Sequence, residues 1–188
     1  MNTIDGGARD RLAAYVNLLT TWNSRIRLTG LRFGGPDDPV EESLHLHRFL
    51  PGIPASALDI GSGNGLPALP LSIAYGIPYV LVESDRRKAA FLREAARVAG
   101  CPAAVAACRV EELPPEPYDL ITARAFAPLD RLLALSFPRQ GSQTVCLFPK
   151  GADVSAEIDD ARRAWEFDAQ CHPLGTGTVV AVRSIMRR

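Results

Sequence analysis

Asp59-Ile60-Gly61-Ser62-Gly63-Asn64-Gly65 follows the short apolar run Ala57–Ile60 and precedes a segment, Leu66–Ala74, patterned as a helix. Glycines at such a junction let the backbone approach a ligand that a Cβ would exclude, and they leave amides pointing outward at the helix start. A glycine-rich turn alone is weak evidence, because a plain turn reads the same way. Its companion is Glu83, 22 residues beyond Gly61 and at the end of the next apolar run, Tyr79–Glu83. A carboxylate there can accept both hydroxyls of a ribose, so turn and carboxylate together predict an adenosine-type cofactor. Dinucleotide dehydrogenases share this pairing, but they space the glycines G-x-G-x-x-G around a pyrophosphate, whereas this turn reads G-x-G-x-G. Asp59 would be unwelcome beside a pyrophosphate and suits a cofactor bearing an amine and a sulfonium; a strand-end Asp that caps the turn is the other reading.

Outward from this turn, short β-like runs alternate with helical segments. The strands expected are Ala57–Ile60, Tyr79–Glu83, Ala103–Ala107, Leu120–Ala123 and Thr144–Phe148, separated by helices over Leu66–Ala74 and Arg86–Ala99 and others starting at Leu129 and Ser155. Such alternation predicts a doubly wound α/β fold with a mostly parallel sheet. Ala169–Pro173 and Thr178–Arg183 face each other across Gly175 and Gly177 as a terminal antiparallel hairpin, for seven strands in all. This is the layout of class I S-adenosylmethionine-dependent methyltransferases. Residues 1–54 form a small helical extension on a domain spanning 55–188. In that extension Leu12, Tyr15, Leu19, Trp22 and Ile26 recur at helical spacing within Arg9–Arg27, the stretch 31–39 carries Gly34, Gly35, Pro36 and Pro39, and a short helix covers Val40–Leu50.

The 188 residues are 47% hydrophobic, enough for one sizeable core. Lys plus Arg and Asp plus Glu both number 21, so there is no polybasic coat and any RNA contact has to be local. Apolar runs are too short for a membrane span and MNTIDGGARDR holds no apolar signal core, which predicts a cytoplasmic protein without membrane association. Cys101, Cys108, Cys146 and Cys171 are scattered, so neither disulfides nor a metal are expected. A monomer is the expected state.

The residues that are missing narrow the chemistry of such a fold. At the end of the fourth strand stands Thr122-Ala123-Arg124-Ala125-Phe126-Ala127, where amine-methylating enzymes carry an Asn/Asp-Pro-Pro-aromatic motif. No Cys lies between Cys108 and Cys146 to serve as the nucleophile of cytosine carbon methylation. Guanine N7 has an in-plane lone pair and needs alignment rather than a base, so a pocket without an evident base permits it.

Five strings occur in order: Leu12-x-x-Tyr15-x-x-x-Leu19-x-x-Trp22-Asn23 with Leu28-Thr29; Asp59-Ile60-Gly61-Ser62-Gly63-x-Gly65-Leu66-Pro67; Arg109-Val110-Glu111-Glu112; Ala123-Arg124-Ala125-Phe126-Ala127; and Pro149-Lys150-Gly151. Together they resemble the ribosomal RNA small subunit methyltransferase G family, also called glucose-inhibited division protein B, from about Leu12 to Val182. The resemblance implies N7-methylation of one guanosine of 16S rRNA, free or in the small ribosomal subunit, with S-adenosylmethionine as donor. It implies that Gly61 and Leu66 line the methionine side of the cofactor, that Gly63 also binds the cofactor, that Glu83 holds the ribose, that Val110 and Glu111 meet the adenine, and that Arg124 stands beside cofactor and target base as the best catalytic candidate. Leu44-His45-Leu46-His47-Arg48-Phe49 lacks the Asp and Ser of the family's segment before the first strand, Ala68 replaces a glycine, and Gly175–Thr178 lacks its Arg-His. A small-molecule methyltransferase and a non-catalytic RNA-binding member of the same fold are the alternatives.

Several residues keep two readings. Arg109, Glu111 and Glu112 could be a solvated loop. Arg124 interrupts an apolar stretch where ligands of parallel sheets bind, and serves either the site or an internal ion pair. Lys150 is expected to project over the same face and meet phosphate. Arg86 and Arg87, with Lys88, could steer RNA or be merely solvated. Phe126 could stack on the guanine or pack in the core.

Overall fold

The computed structural model describes residues 4–30, 32–35 and 38–188. Met1–Thr3 and, within the expected irregular stretch, Leu31, Pro36 and Asp37 lie outside the described residues. The chain forms a seven-stranded sheet with strands β1 (Ala57–Ile60), β2 (Tyr79–Val82), β3 (Ala103–Ala106), β4 (Tyr118–Thr122), β5 (Gln140–Lys150), β6 (Trp165–Leu174) and β7 (Gly177–Arg187). Their order is β3-β2-β1-β4-β5-β7-β6. β1 pairs in parallel with β2 and β4, and only β7 runs antiparallel, to β5 and β6. The order reverses between β1 and β4, so the crevice of this sheet opens at the carboxyl ends of those strands.

The helices are α1 (Gly6–Asn23), α2 (Pro39–His45), α3 (Ala68–Tyr75), α4 (Arg86–Ala99), α5 (Leu129–Ser136) and α6 (Ser155–Ala161). Alternate residues of β1 face opposite layers, since successive side chains of a strand point to opposite faces. Ala57 packs with α1–α4 through Tyr15, Leu19, Leu44, Leu71 and Phe91, while Leu58 and Ile60 pack with α5 and α6 through Leu132, Leu133 and Ala161. The N-terminal helices therefore share the core of the first sheet face, and Trp22 of α1 meets Phe91 of α4 edge-on at 5.8 Å.

Helix ends follow local chemistry that periodicity does not report. α1 begins before Arg9 because the Asp5 side chain accepts the Ala8 amide at 2.6 Å. It ends at Asn23, before Arg27, where the Asn23 side chain accepts the amides of Leu28 and Thr29 and donates to the Thr29 carbonyl. α4 matches its expected span, capped by Asp85 and stopped by Gly100 in the left-handed conformation. The terminal hairpin is longer than expected, because backbone pairing continues out to Trp165 and Arg187 with the buried Trp165, Phe167 and Ile185 alternating with exposed neighbours.

Candidate functional site

A cavity of about 500 Å³ opens at the carboxyl ends of the first strands. All seven residues expected to hold a cofactor stand on its wall: Gly61, Gly63, Leu66, Glu83, Val110, Glu111 and Arg124. They reach it from the segments after β1, β2, β3 and β4, so the sheet collects positions up to 63 residues apart.

The turn after β1 is built on three left-handed glycines, with φ of +70° at Gly61, +52° at Gly63 and +91° at Gly65. Side chains avoid that region. Gly61 has a second constraint: the Phe126 ring occupies the space that a Cβ would take. Glu83 is buried beside the turn, accepting the Gly63 amide on Oε2 at 2.9 Å and the Asp85 amide on Oε1 at 2.8 Å. A carboxylate has about four acceptor positions, so capacity remains for two hydroxyls. The turn leaves room where side chains would intrude and the carboxylate is fixed and still able to accept, as the donating hydroxyls of a free ribose require.

Several wall and support residues were not anticipated as site residues. Tyr15 is fully buried in α1 and donates its hydroxyl to the Asn64 carbonyl at 2.7 Å, tying the extension to the glycine turn. Burial raises the Tyr15 phenol far above its ordinary pKa, with Arg124 acting in the opposite sense, so it stays a donor. Leu28 and Thr29, positioned by Asn23, also line the cavity, as do Ser62, Asn64 and Lys88. Their signal lay in the Tyr15 and Trp22-Asn23…Leu28-Thr29 strings, which periodicity explained as helix packing. Arg139 is buried and its guanidinium donates to the carbonyls of Val110, Leu113 and Leu135, holding the loop after β3 in place. Nothing local in the sequence marks that role.

Asp59 takes the structural reading. It is buried beneath the turn, away from the cavity wall, and accepts the Thr122 hydroxyl at 2.5 Å. Burial, only partly offset by hydrogen bonds from Thr122 and Ser62, pushes its carboxyl up to about 7. Lys150 is mostly buried and already paired: its side chain is 11% exposed, and Nζ donates to the Ala127 carbonyl at 2.8 Å and to Glu157 at 2.7 Å. Arg86 and Arg87 lie exposed at the start of α4, Arg87 pairs with Asp85 at 3.4 Å, and neither lines the cavity. Glu111 pairs with Arg131 at 2.8 Å on the rim.

Arg124 forms an internal ion pair and also stands on the cavity wall. Its guanidinium pairs with Glu42 of α2 at 3.2 Å, with the side chains 21% and 18% exposed. It also lines both the first cavity and a second of about 640 Å³. Ala125 (φ +51°) and Phe126 border both cavities as well, so the segment after β4 is their common wall. Phe126 is 43% exposed and does not belong to the core.

A family model described as GidB, rRNA small subunit methyltransferase G, matches residues 8–181. The chain belongs to this family. Among relatives named ribosomal RNA small subunit methyltransferase G, that of Gluconobacter oxydans is 38% identical over 192 residues, covering 100% of this chain and 99% of the other. That of Rhodospirillum centenum is 45% identical over 178 residues, covering 88% and 80%. The fold is also that of a ribosomal protein L11 methylase from Lactobacillus delbrueckii subsp. bulgaricus (18% identity, TM-score 0.62, 82% and 81% covered) and of a Bacillus cereus O-methyltransferase in complex with SAH (15% identity, TM-score 0.60, 98% and 93% covered). The match of the small subunit methyltransferase G family thus takes in most of α1 and both segments that depart from the family pattern, Leu44–Phe49 and Gly175–Thr178. Among the described residues no helix is long and apolar enough to cross a membrane, and no group of three His, Cys, Asp or Glu could hold a metal ion.

Proposed function

We propose that this chain transfers a methyl group from S-adenosylmethionine to N7 of a guanosine in 16S rRNA, acting in the cytoplasm. The observation that carries the reading is the pair of adjoining cavities with Arg124, Ala125 and Phe126 as their shared wall: one fits a nucleoside cofactor and the other lies directly across from it. Family membership supplies the RNA acceptor.

In the first cavity Glu83 would hold the ribose hydroxyls, the glycine turn the amino-acid side, and Val110 with Glu111 the adenine. Bound there, S-adenosylmethionine supplies an electrophilic methyl on a cationic sulfur. The acceptor nitrogen brings its own in-plane lone pair, and no proton has to move. The chain is therefore asked for alignment and exclusion of water, which together can replace much of a barrier. Arg124 is suited to orient the acceptor, since its ion pair with Glu42 fixes the guanidinium and offsets its charge beside a base that becomes cationic on methylation. Residues 1–54 serve as an extension of the 55–188 domain that adds Leu28 and Thr29 to the wall of the cofactor cavity and holds its glycine turn through Tyr15.

The test is incubation with labelled S-adenosylmethionine and unmethylated small subunits or naked 16S rRNA, followed by mapping of the label. Label on a single guanine N7 is expected. Transfer to metabolites with none to RNA would replace this reading by the small-molecule one, and no affinity for the cofactor would end both.

A further inference from the structure

The second cavity holds a donor and acceptor pair that methyl transfer does not use. Lys150, at the carboxyl end of β5, directs Nζ to the Ala127 carbonyl at 2.8 Å and to Glu157 Oε2 at 2.7 Å. An ammonium has three N–H donors, and these contacts occupy two. Glu157 Oε2 also accepts the Leu129 amide at 2.9 Å, while none of the hydrogen bonds among the described residues uses its Oε1. Both residues stand on the cavity wall. That wall thus presents one spare N–H beside one spare carboxylate oxygen, and the ion pair between them holds the spacing.

We propose that Lys150 and Glu157 read the Watson–Crick edge of the flipped guanine, Lys150 donating to O6 and Glu157 Oε1 accepting from N1–H and the N2 amine. The inference rests on the guanine-N7 reading above and names what selects the base. Enzymes that work on a flipped base recognise it by hydrogen bonds to that edge and by stacking on apolar side chains. Guanine matches the pair in order, an acceptor beside two donors. Adenine reverses the order, setting an amine against the ammonium and a bare N1 against the carboxylate, and a site whose buried polar groups are left unpaired rejects the wrong ligand strongly. Docking this edge leaves N7 unbonded on the other edge of the purine. The cavity adjoins the cofactor site along Arg124–Phe126, and the exposed Phe126 ring supplies a face for stacking.

The experiment uses 16S rRNA ligated to carry guanine, inosine or 2-aminopurine at the methylated position. Inosine lacks the N2 amine; 2-aminopurine lacks O6 and the N1 proton. The native protein is expected to favour guanine at least tenfold in kcat/KM over each analogue. Glu157→Gln should shrink the guanine-to-inosine ratio at least threefold, and Lys150→Met the guanine-to-2-aminopurine ratio at least threefold, with cofactor affinity retained as the sign of a folded protein. Comparing ratios cancels the intrinsic reactivity of each base and any general loss from a disturbed Ala127 or Leu129 contact. Use of all three bases within threefold by the native protein overturns the proposal without recourse to a variant, and so do variants that slow every acceptor alike. Those results leave the guanine-N7 function standing; absence of transfer even to unmodified RNA removes both.

Discussion

The Tyr15 hydroxyl of α1 donates to the backbone carbonyl of Asn64 at 2.7 Å, across 49 residues of sequence, and so links the N-terminal extension to the glycine turn of the cofactor cavity. The phenol is fully buried and the carbonyl belongs to a turn of left-handed glycines, so the bond adds to the hold that Glu83 has on the same turn through the Gly63 amide. Tyr15→Phe leaves that carbonyl without its donor at a cost of about 1 kcal/mol. Cofactor affinity is expected to fall about three- to tenfold, with a small loss in melting temperature. Titration calorimetry with S-adenosylmethionine checks this, and an affinity equal to that of the native protein would separate α1 from the site.

Glu83 answers a different question, because its carboxylate orders the turn and is proposed to take the ribose. Hydrogen bonds to a charged acceptor are worth about 1.5–3 kcal/mol each. Glu83→Ala removes the acceptor of the Gly63 and Asp85 amides as well, so cofactor affinity should drop at least tenfold. Unchanged binding by calorimetry would remove the ribose assignment.

Arg124 and Glu42 join α2 to the wall between the cavities. Arg124→Ala is expected to lower turnover at least tenfold while the cofactor still binds. Since the pair is mostly but not fully shielded from water, its coupling in a double-mutant cycle with Glu42→Ala should be about 1 kcal/mol in unfolding free energy. Turnover equal to native in Arg124→Ala would leave the residue a structural one.

Asp59 sets a pH dependence of stability. Its carboxyl is raised from the ordinary 3.8 to about 7, chiefly by burial. Between about pH 4 and 7 the folded chain therefore keeps a proton that the unfolded chain has released. Each pH unit across that window favours unfolding by about 1.4 kcal/mol, so this group's contribution is full below pH 4 and lost as pH rises through 7. Asp59→Asn can still accept the Thr122 hydroxyl and does not titrate. Urea unfolding at pH 5, 6, 7 and 8 should show the variant gaining on the native protein as pH rises; parallel curves would mean that the Asp59 carboxyl is not raised in the folded chain.

What the sequence by itself determined was local in origin. Alternating apolar runs and helical periods specify a doubly wound sheet, since burial on one or both faces dictates those spacings. Gly61, Gly63 and Gly65 mark a turn that only glycine adopts without strain, and Glu83 follows at the distance that one βαβ unit imposes. What only the tertiary structure decided was which polar groups meet. Asp59 lies beside the cavity in sequence and is sealed beneath it in space, because its side chain points to the α1–α4 face of β1. Lys150, where phosphate contact is expected, pairs with Glu157; Arg124 finds Glu42, 82 residues away; Arg139 finds Val110 and Leu113. Each of these pairings joins residues on different elements, and the distances between elements come from packing of the sheet and helices, which no local pattern of residues encodes.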